Sequence, residues 1–318
     1  MRHIRQTTTV LVASVLIAAG SVLAGPLLNT QVSSSANWVV HADYDRFRST
    51  EIGKLITDEL EILGIAEKLR NFAAVFSFHP LNDICGVTLY GSGADKQKAV
   101  VIIDGNFDKD KLVSLVSMNP EYEQLEYAGI SVHRWADENK RKPDGAAEKI
   151  YGCFYGEKLL LLSAGLDAIT QAIDVLRGKA PCAESDSLSP AGINVNTAFL
   201  QVAARAIDKI AEQEPKAAML KQADELAIVI GETQGSFYID VGLKAKSEEA
   251  AENIRKMADG LIAFANLAGQ EQPKLAELAA KLQLDRTENT VRLRFESNSQ
   301  DVVDFLKEQW KTKVETKQ

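Results

Sequence analysis

Two periodicities of hydrophobic and polar positions alternate along this chain, and the switches between them mark its elements. Residues 38–40 read as a strand running into Asp43-Tyr44-Asp45. Ile52, Leu55, Ile56, Leu60 and Leu63 then recur at helical spacing, continued by Leu69, Phe72, Ala73 and Phe76. Ser49 stands where a cap would open that helix, and Gly64 where it would break in two. Two β runs follow, 84–90 and 99–103, joined by the polar turn 91–96. Asp108 is placed to cap a short helix carrying Leu112, Leu115 and Val116. Residues 125–127 and 130–135 read as a hairpin around Ala128-Gly129, followed by a charged loop over 137–148. A further β pair, 150–155 and 159–162, leads into a helix whose apolar face is Leu166, Ile169, Ile173 and Leu176, stopped at Gly178.

The pattern then recurs. Residues 193–196 read as a strand entering a helix, and 226–230 pairs with 236–241. Ser247 caps a helix with the stripe Ala250, Ile254, Met257, Leu261, Phe264 and Ala265. A hairpin around Glu288-Asn289 and a last helix opened by Ser299 complete the second round. The order strand, helix, hairpin, helix, hairpin, helix thus occurs twice, with one extra hairpin in the first copy, and implies an internal duplication. The predicted fold class is α+β: two tandem, pseudo-repeated units of antiparallel sheet with helices packed on one face. The expected organisation is a signal peptide over 1–24, a linker over 25–36, a first unit over 37–180, a linker over 181–191 and a second unit over 192–318.

The N-terminus changes the picture most. Arg2 and Arg5 precede an uncharged apolar run from Val10 to Leu23, and Val22-Leu23-Ala24 presents small residues where a signal peptidase inspects. Cleavage is expected between Ala24 and Gly25; the alternative is that the run is kept as an anchor. It is short of the ~20 residues that cross a bilayer, so no stable span is expected after cleavage. The expected location is periplasmic or extracellular.

Charge excludes one class of partner. The formal net charge is −8 over 318 residues, and no dense Lys/Arg run offers to neutralise phosphates, which argues against nucleic acid. Cys85, Cys153 and Cys182 allow three single pairings in an oxidising compartment, or none, and their spacing matches no zinc or haem pattern.

Candidate chemistry is sparse. His41, Asp43 and Asp45 alternate along an extended reading of the chain and would point to one side, where an imidazole and two carboxylates suit a divalent cation. His79, beside Pro80 and near Asp83, is a possible fourth member. The competing reading gives Asp43 or Asp45 to backbone N–H groups where strand turns into helix, and Asn194 and Asn196 at the matching places of the second copy favour it. His133 lies in a β run. The Gly-rich turn 91–96 superficially resembles a phosphate cradle but precedes a strand, not a helix. No nucleophile signature is found, and no residue is assigned a catalytic or cofactor-binding role.

The stretches Trp38-Val39-Val40-His41-Ala42-Asp43, Asp83 to Gly91, Gly105-Asn106-Phe107-Asp108 and Leu176-Arg177-Gly178-Lys179 resemble a family of exported bacterial proteins of unassigned activity. The resemblance covers roughly residues 38–181 and implies export and a shared fold. The expected function is non-catalytic: binding an unknown protein or envelope component, or self-association. The alternative is a metal-assisted hydrolase using His41, Asp43 and Asp45.

Overall fold

The computed structural model describes residues 26–62, 64–141, 145, 147–184, 193, 195–207, 221–268 and 273–315. The expected signal peptide and its cleavage point, most of the expected second linker, and Asn194 lie outside these residues. The chain forms two compact units. One takes the chain up to Arg48 together with Leu60–Glu184; the other takes Ser49–Glu59 and the chain from Ser185 onward. The class is α+β, and every described strand pairing is antiparallel.

In the first unit β1 (Trp38–Asp43) leads into helix α1 (Tyr44–Ser49); α2 (Glu51–Ile62), most of which belongs to the second unit, and α3 (Ile65–Phe76) follow in chain order. Gly64, at φ 68°, separates these two helices because the left-handed backbone there suits a residue without a side chain. Strands β2 (Ile84–Gly91) and β3 (Val100–Gly105) precede α4 (Lys109–Ser117). Strands β4 (Glu123–Tyr127), β5 (Ile130–Arg141), β6 (Ala147–Tyr155) and β7 (Leu159–Ser163) and helix α5 (Leu166–Leu176) complete the unit. The sheet runs β1-β2-β3-β7-β6-β5-β4.

Local chemistry accounts for most of these boundaries. Asp108 accepts a hydrogen bond from the Lys111 N–H at 3.0 Å and caps α4. Ala128 (φ 55°) and Gly129 (φ 80°) both take positive φ, as a two-residue hairpin turn demands. After α5 the Lys179 N–H reaches back to the Asp174 carbonyl at 2.8 Å, with Gly178 at φ 68° making the reversal.

Two expectations differ from the structure. Helix α2 is capped by Thr50, whose Oγ1 accepts from the Gly53 N–H at 3.0 Å, one residue after the expected Ser49. The charged stretch expected as a loop after Trp135 continues the hairpin, with Asp137 opposite Glu148 and Arg141 opposite Ala147. Backbone pairing needs no apolar side chains once a strand leaves the core. Strand β6 makes contacts on both of its faces. The Tyr155 hydroxyl donates to the Leu176 carbonyl at the end of α5, at 3.1 Å. Its neighbour Phe154 points the other way and joins a ring contact chain through Phe107 and Phe78 to Phe72 of α3.

In the second unit the order is β8 (Ala198–Arg205), β9 (Ala223–Thr233), β10 (Ser236–Ala245), α6 (Glu248–Ala268), α7 (Pro273–Ala279), β11 (Leu282–Thr287), β12 (Thr290–Asn298) and α8 (Ser299–Glu315). Its sheet runs β8-β9-β10-β12-β11. In both units the first three strands pair in sequence and the third then pairs with the last strand, not the next. Strand β8 is a correction: a helix was expected to follow residues 193–196. Alanines at 198, 203 and 204 favour a helix, but Leu200 and Val202 alternate into the sheet opposite Ile230 and Ile228 of β9. Pairing overrides local propensity there.

Ser247 accepts from the Ala250 N–H at 3.1 Å and caps α6. The helix then buries Ala251 and Ile254 in a core with Ile207, Ala223, Ala245 and Val291. Residues 51–59 of α2 belong to this unit and are fastened by Glu232. Its carboxylate accepts from the Glu51 and Ile52 N–H groups, each at 2.7 Å, and from the Ser299 hydroxyl at 2.7 Å.

Candidate functional site

The strand end singled out by sequence is a buried polar cluster. His41 and Asp43 leave β1 on the same face, as alternation requires. His41 Nδ1 lies 2.9 Å from Thr88 Oγ1, its cross-strand partner. Asp43 accepts from the Arg46 N–H at 2.9 Å and sits 3.5 Å from the Arg46 guanidinium. It is the polar group that turns the strand into α1. Burial pushes its carboxyl above the usual range, opposed by the bonds from Arg46.

Asp45 does not join them. The strand ends at Asp43, so Asp45 lies in α1, where it forms a close ion pair with Arg48. That guanidinium also donates to the carbonyls of Tyr44 at 3.2 Å, Leu81 at 3.3 Å and Ile84 at 3.2 Å. His79 is engaged locally in the turn before β2. Its N–H donates to Asp83 at 2.6 Å, and its Nδ1 accepts from the Leu81 N–H at 3.1 Å. Among the described residues no group of three or more His, Cys, Asp or Glu side chains is arranged to hold a metal ion.

Two members of the cluster were missed. Register places Asp43 and Asp104 on one face with Gly86 between them. Thr88 and Asp104 line a cavity of about 30 Å³ with His41, Gly86 and Ile102, room for about one water molecule. Asp104 Oδ1 is buried with no hydrogen-bond partner among the described residues, and burial raises its pKa. The alternation of Val100, Ile102 and Asp104 along β3 was the available signal; which strand lay beside β1 was not.

The remaining candidates serve structure. In the Gly-rich turn the Gly93 N–H donates to Asn37 Oδ1 at 2.9 Å and the Trp38 indole donates to the Gly93 carbonyl at 2.8 Å. His133 is buried against Tyr122, whose hydroxyl is 2.8 Å from Nδ1.

The three cysteines are free thiols. Burial pushes Cys85 up to about 11 and Cys153 up to about 12. A thiol-specific reagent at pH 8 is therefore expected to label Cys182 in the native chain and to reach the other two only on unfolding; mass spectrometry of the labelled peptides reads this directly. The linkage has a definite sign. The folded chain holds these protons where the unfolded chain, with thiols at 9.0, releases them. Stability should then fall as pH rises from about 9 toward 11, and less steeply in a Cys85→Ala/Cys153→Ala variant.

Helix α6 carries an exposed apolar stripe. The stripe that buries Ile254 of α6 continues toward its C-terminus as Met257, Leu261 and Phe264, and these are 37%, 63% and 70% exposed. No helix among the described residues is long and apolar enough to cross a membrane.

No known family matches the chain by sequence profile, and no characterised relative matches it. Among solved structures, TP0453 in crystal forms III, I and IV aligns over 89% of this chain and 97% of its own, at 7% identity. The TM-scores are 0.47, 0.44 and 0.47. A likeness so distant carries no argument about function.

Proposed function

We propose that this is an exported, non-catalytic binding protein of the cell envelope, and that the C-terminal half of α6 docks into an apolar groove on a protein partner. The observation that carries this reading is the stripe itself. Its composition does not change between Ile254 and Phe264, yet it passes from the core to the surface. A helix ridge is convex, whereas small-molecule sites are concave, so the occupant is a macromolecule. Met257, Leu261 and Phe264 stand at i, i+4 and i+7, the anchor spacing of a helix laid in a groove. Glu248 and Glu249 at the start of the same helix, with a net charge of −8, fit a groove rimmed by Lys and Arg and disfavour an anionic bilayer. The equivalent strand order of the two units supports an internal duplication. The residues from Arg2 to Ala24 support export. The metal-assisted hydrolase gains no support, because Asp43 and Asp45 are each bound by an arginine.

The test is photo-crosslinking from position 261 in the exported protein, followed by a binding measurement with the purified crosslinked partner. Leu261→Ser/Phe264→Ser is expected to weaken that binding at least tenfold, the loss of about one interface anchor, with an unchanged melting temperature. A concentration-dependent dimer abolished by the same substitutions would assign the stripe to a second copy instead. Co-sedimentation with phosphatidylcholine vesicles, lost in the variant, would assign it to a membrane.

A further inference from the structure

The sheet of the second unit has a polar face that the reading above leaves unused. Leu226, Leu243, Leu284 and Val291 pack toward α6. Alternation therefore turns Asp240, Gln283, Arg292 and Arg294 to the opposite side. There they bound a cavity of about 290 Å³, closed on its other flank by Thr197, Thr233 and Tyr238. The hollow has a simple origin. Tyr238 lies over Gly231, its cross-strand partner in β9, and walls one side, while β12 raises the long side chains Arg292, Arg294 and Glu296 on the other.

The wall is prepared on one side. The Tyr238 hydroxyl lies 2.8 Å from Thr197 Oγ1, which also accepts from Thr233 Oγ1 at 3.2 Å. Asp240 is held by Arg292, which donates from Nε at 2.7 Å and closes a second bond from Nη2. These two charges cancel. Arg294 is different: its Nε stands 3.8 Å from Asp240, outside hydrogen-bond reach, and its side chain is 45% exposed. Glu296 is held by the Ser236 hydroxyl at 2.7 Å and has no cationic partner among the described residues. The cavity edge therefore carries, two positions apart on the same face of β12, a half-exposed guanidinium whose one ionic contact, to Asp240, lies beyond hydrogen-bond reach and a carboxylate with no cationic partner among the described residues.

We infer that this cavity binds a small zwitterion, with a carboxylate received by the fork of Arg294, an ammonium received by Glu296, and a body the size of an amino acid or dipeptide. A simple anion meets Asp240 and Glu296, and a simple cation meets two arginines, so neither class fits as well. The volume lies at the lower end for organic ligand sites, which sets the size limit. The hydroxyls of Thr233 and Tyr238 are left to bond the body of the ligand.

The test is an NMR titration of the full mature chain with leucine and, separately, with alanyl-alanine. One or both are expected to shift the amides of Thr197, Tyr238 and Gln283 saturably below about 10 mM. N-acetyl-alanyl-alanine amide, which lacks both charges, should shift none of them. Arg294→Gln and Glu296→Gln should each weaken binding at least tenfold, as expected when a charged hydrogen-bond partner is removed, while Arg294→Lys should lose less. Both positions face solvent, and an unchanged melting temperature confirms folding. Equal binding of the blocked dipeptide or of inorganic phosphate would overturn the assignment, as would the absence of any shift with either zwitterion. Neither result bears on the α6 stripe, which lies on the other face.

Discussion

Arg48→Met is expected to lower the unfolding free energy by about 3–5 kcal/mol, the usual consequence of removing one partner of a buried ion pair. The side chains of Arg48 and Asp45 are 8% and 13% exposed. Loss of the guanidinium takes the ion-pair partner from Asp45 and one donor from each of three carbonyls, those of Tyr44, Leu81 and Ile84. Urea denaturation followed by far-UV circular dichroism reads the effect. The double variant Asp45→Asn/Arg48→Met should recover part of the loss, because no unpaired charge is then left in the interior. Simple additivity of the two single losses would show that the pair is not coupled, and that Asp45 is held by something other than Arg48.

The same pair explains why the strand-end motif reads as a metal site in the sequence and as a joint in the structure. His41, Asp43 and Asp45 have ligand chemistry and alternate spacing, and spacing is all that a linear reading can use. It cannot reveal that the backbone changes from strand to helix between Asp43 and Tyr44, which carries Asp45 off the shared face. Nor can it bring Arg46 and Arg48 round by one helical turn to meet the carboxylates. Thr88 and Asp104 come from β2 and β3, and only the sheet order makes them neighbours of His41.

Where a boundary depends on neighbouring residues, the sequence is legible. Asp108 and Ser247 cap α4 and α6 at the expected positions. Ala128-Gly129 makes the expected hairpin. Strand β8 was illegible because its alanines carry helical propensity and only β9 supplies the opposing argument. Residues 49–59 could not be assigned to the second unit from sequence, since chain order places them in the first. The exposed half of α6 was equally hidden. Met257, Leu261 and Phe264 continue the period of Ile254 without a break, and periodicity predicts burial for all four.

Glu232 is where that long-range arrangement can be tested. Glu232→Ala should destabilise the second unit by about 2–3 kcal/mol, and Glu232→Gln by roughly half as much, from the worth of charged hydrogen bonds and helix caps. The carboxylate accepts from two N–H groups in the first turn of α2, where the helix dipole favours negative charge. It also orients Ser299 at the start of α8. A glutamine keeps one acceptor oxygen but not the charge, hence the intermediate expectation. Hydrogen exchange distinguishes this role from a general loss of packing. In Glu232→Ala the amides of Glu51, Ile52 and the first turn of α8 should lose protection, while those of α5, wholly in the first unit, should keep theirs. Equal loss across both units would mean that Glu232 is not the local fastening of residues 51–59, and that the second unit holds this segment by packing alone.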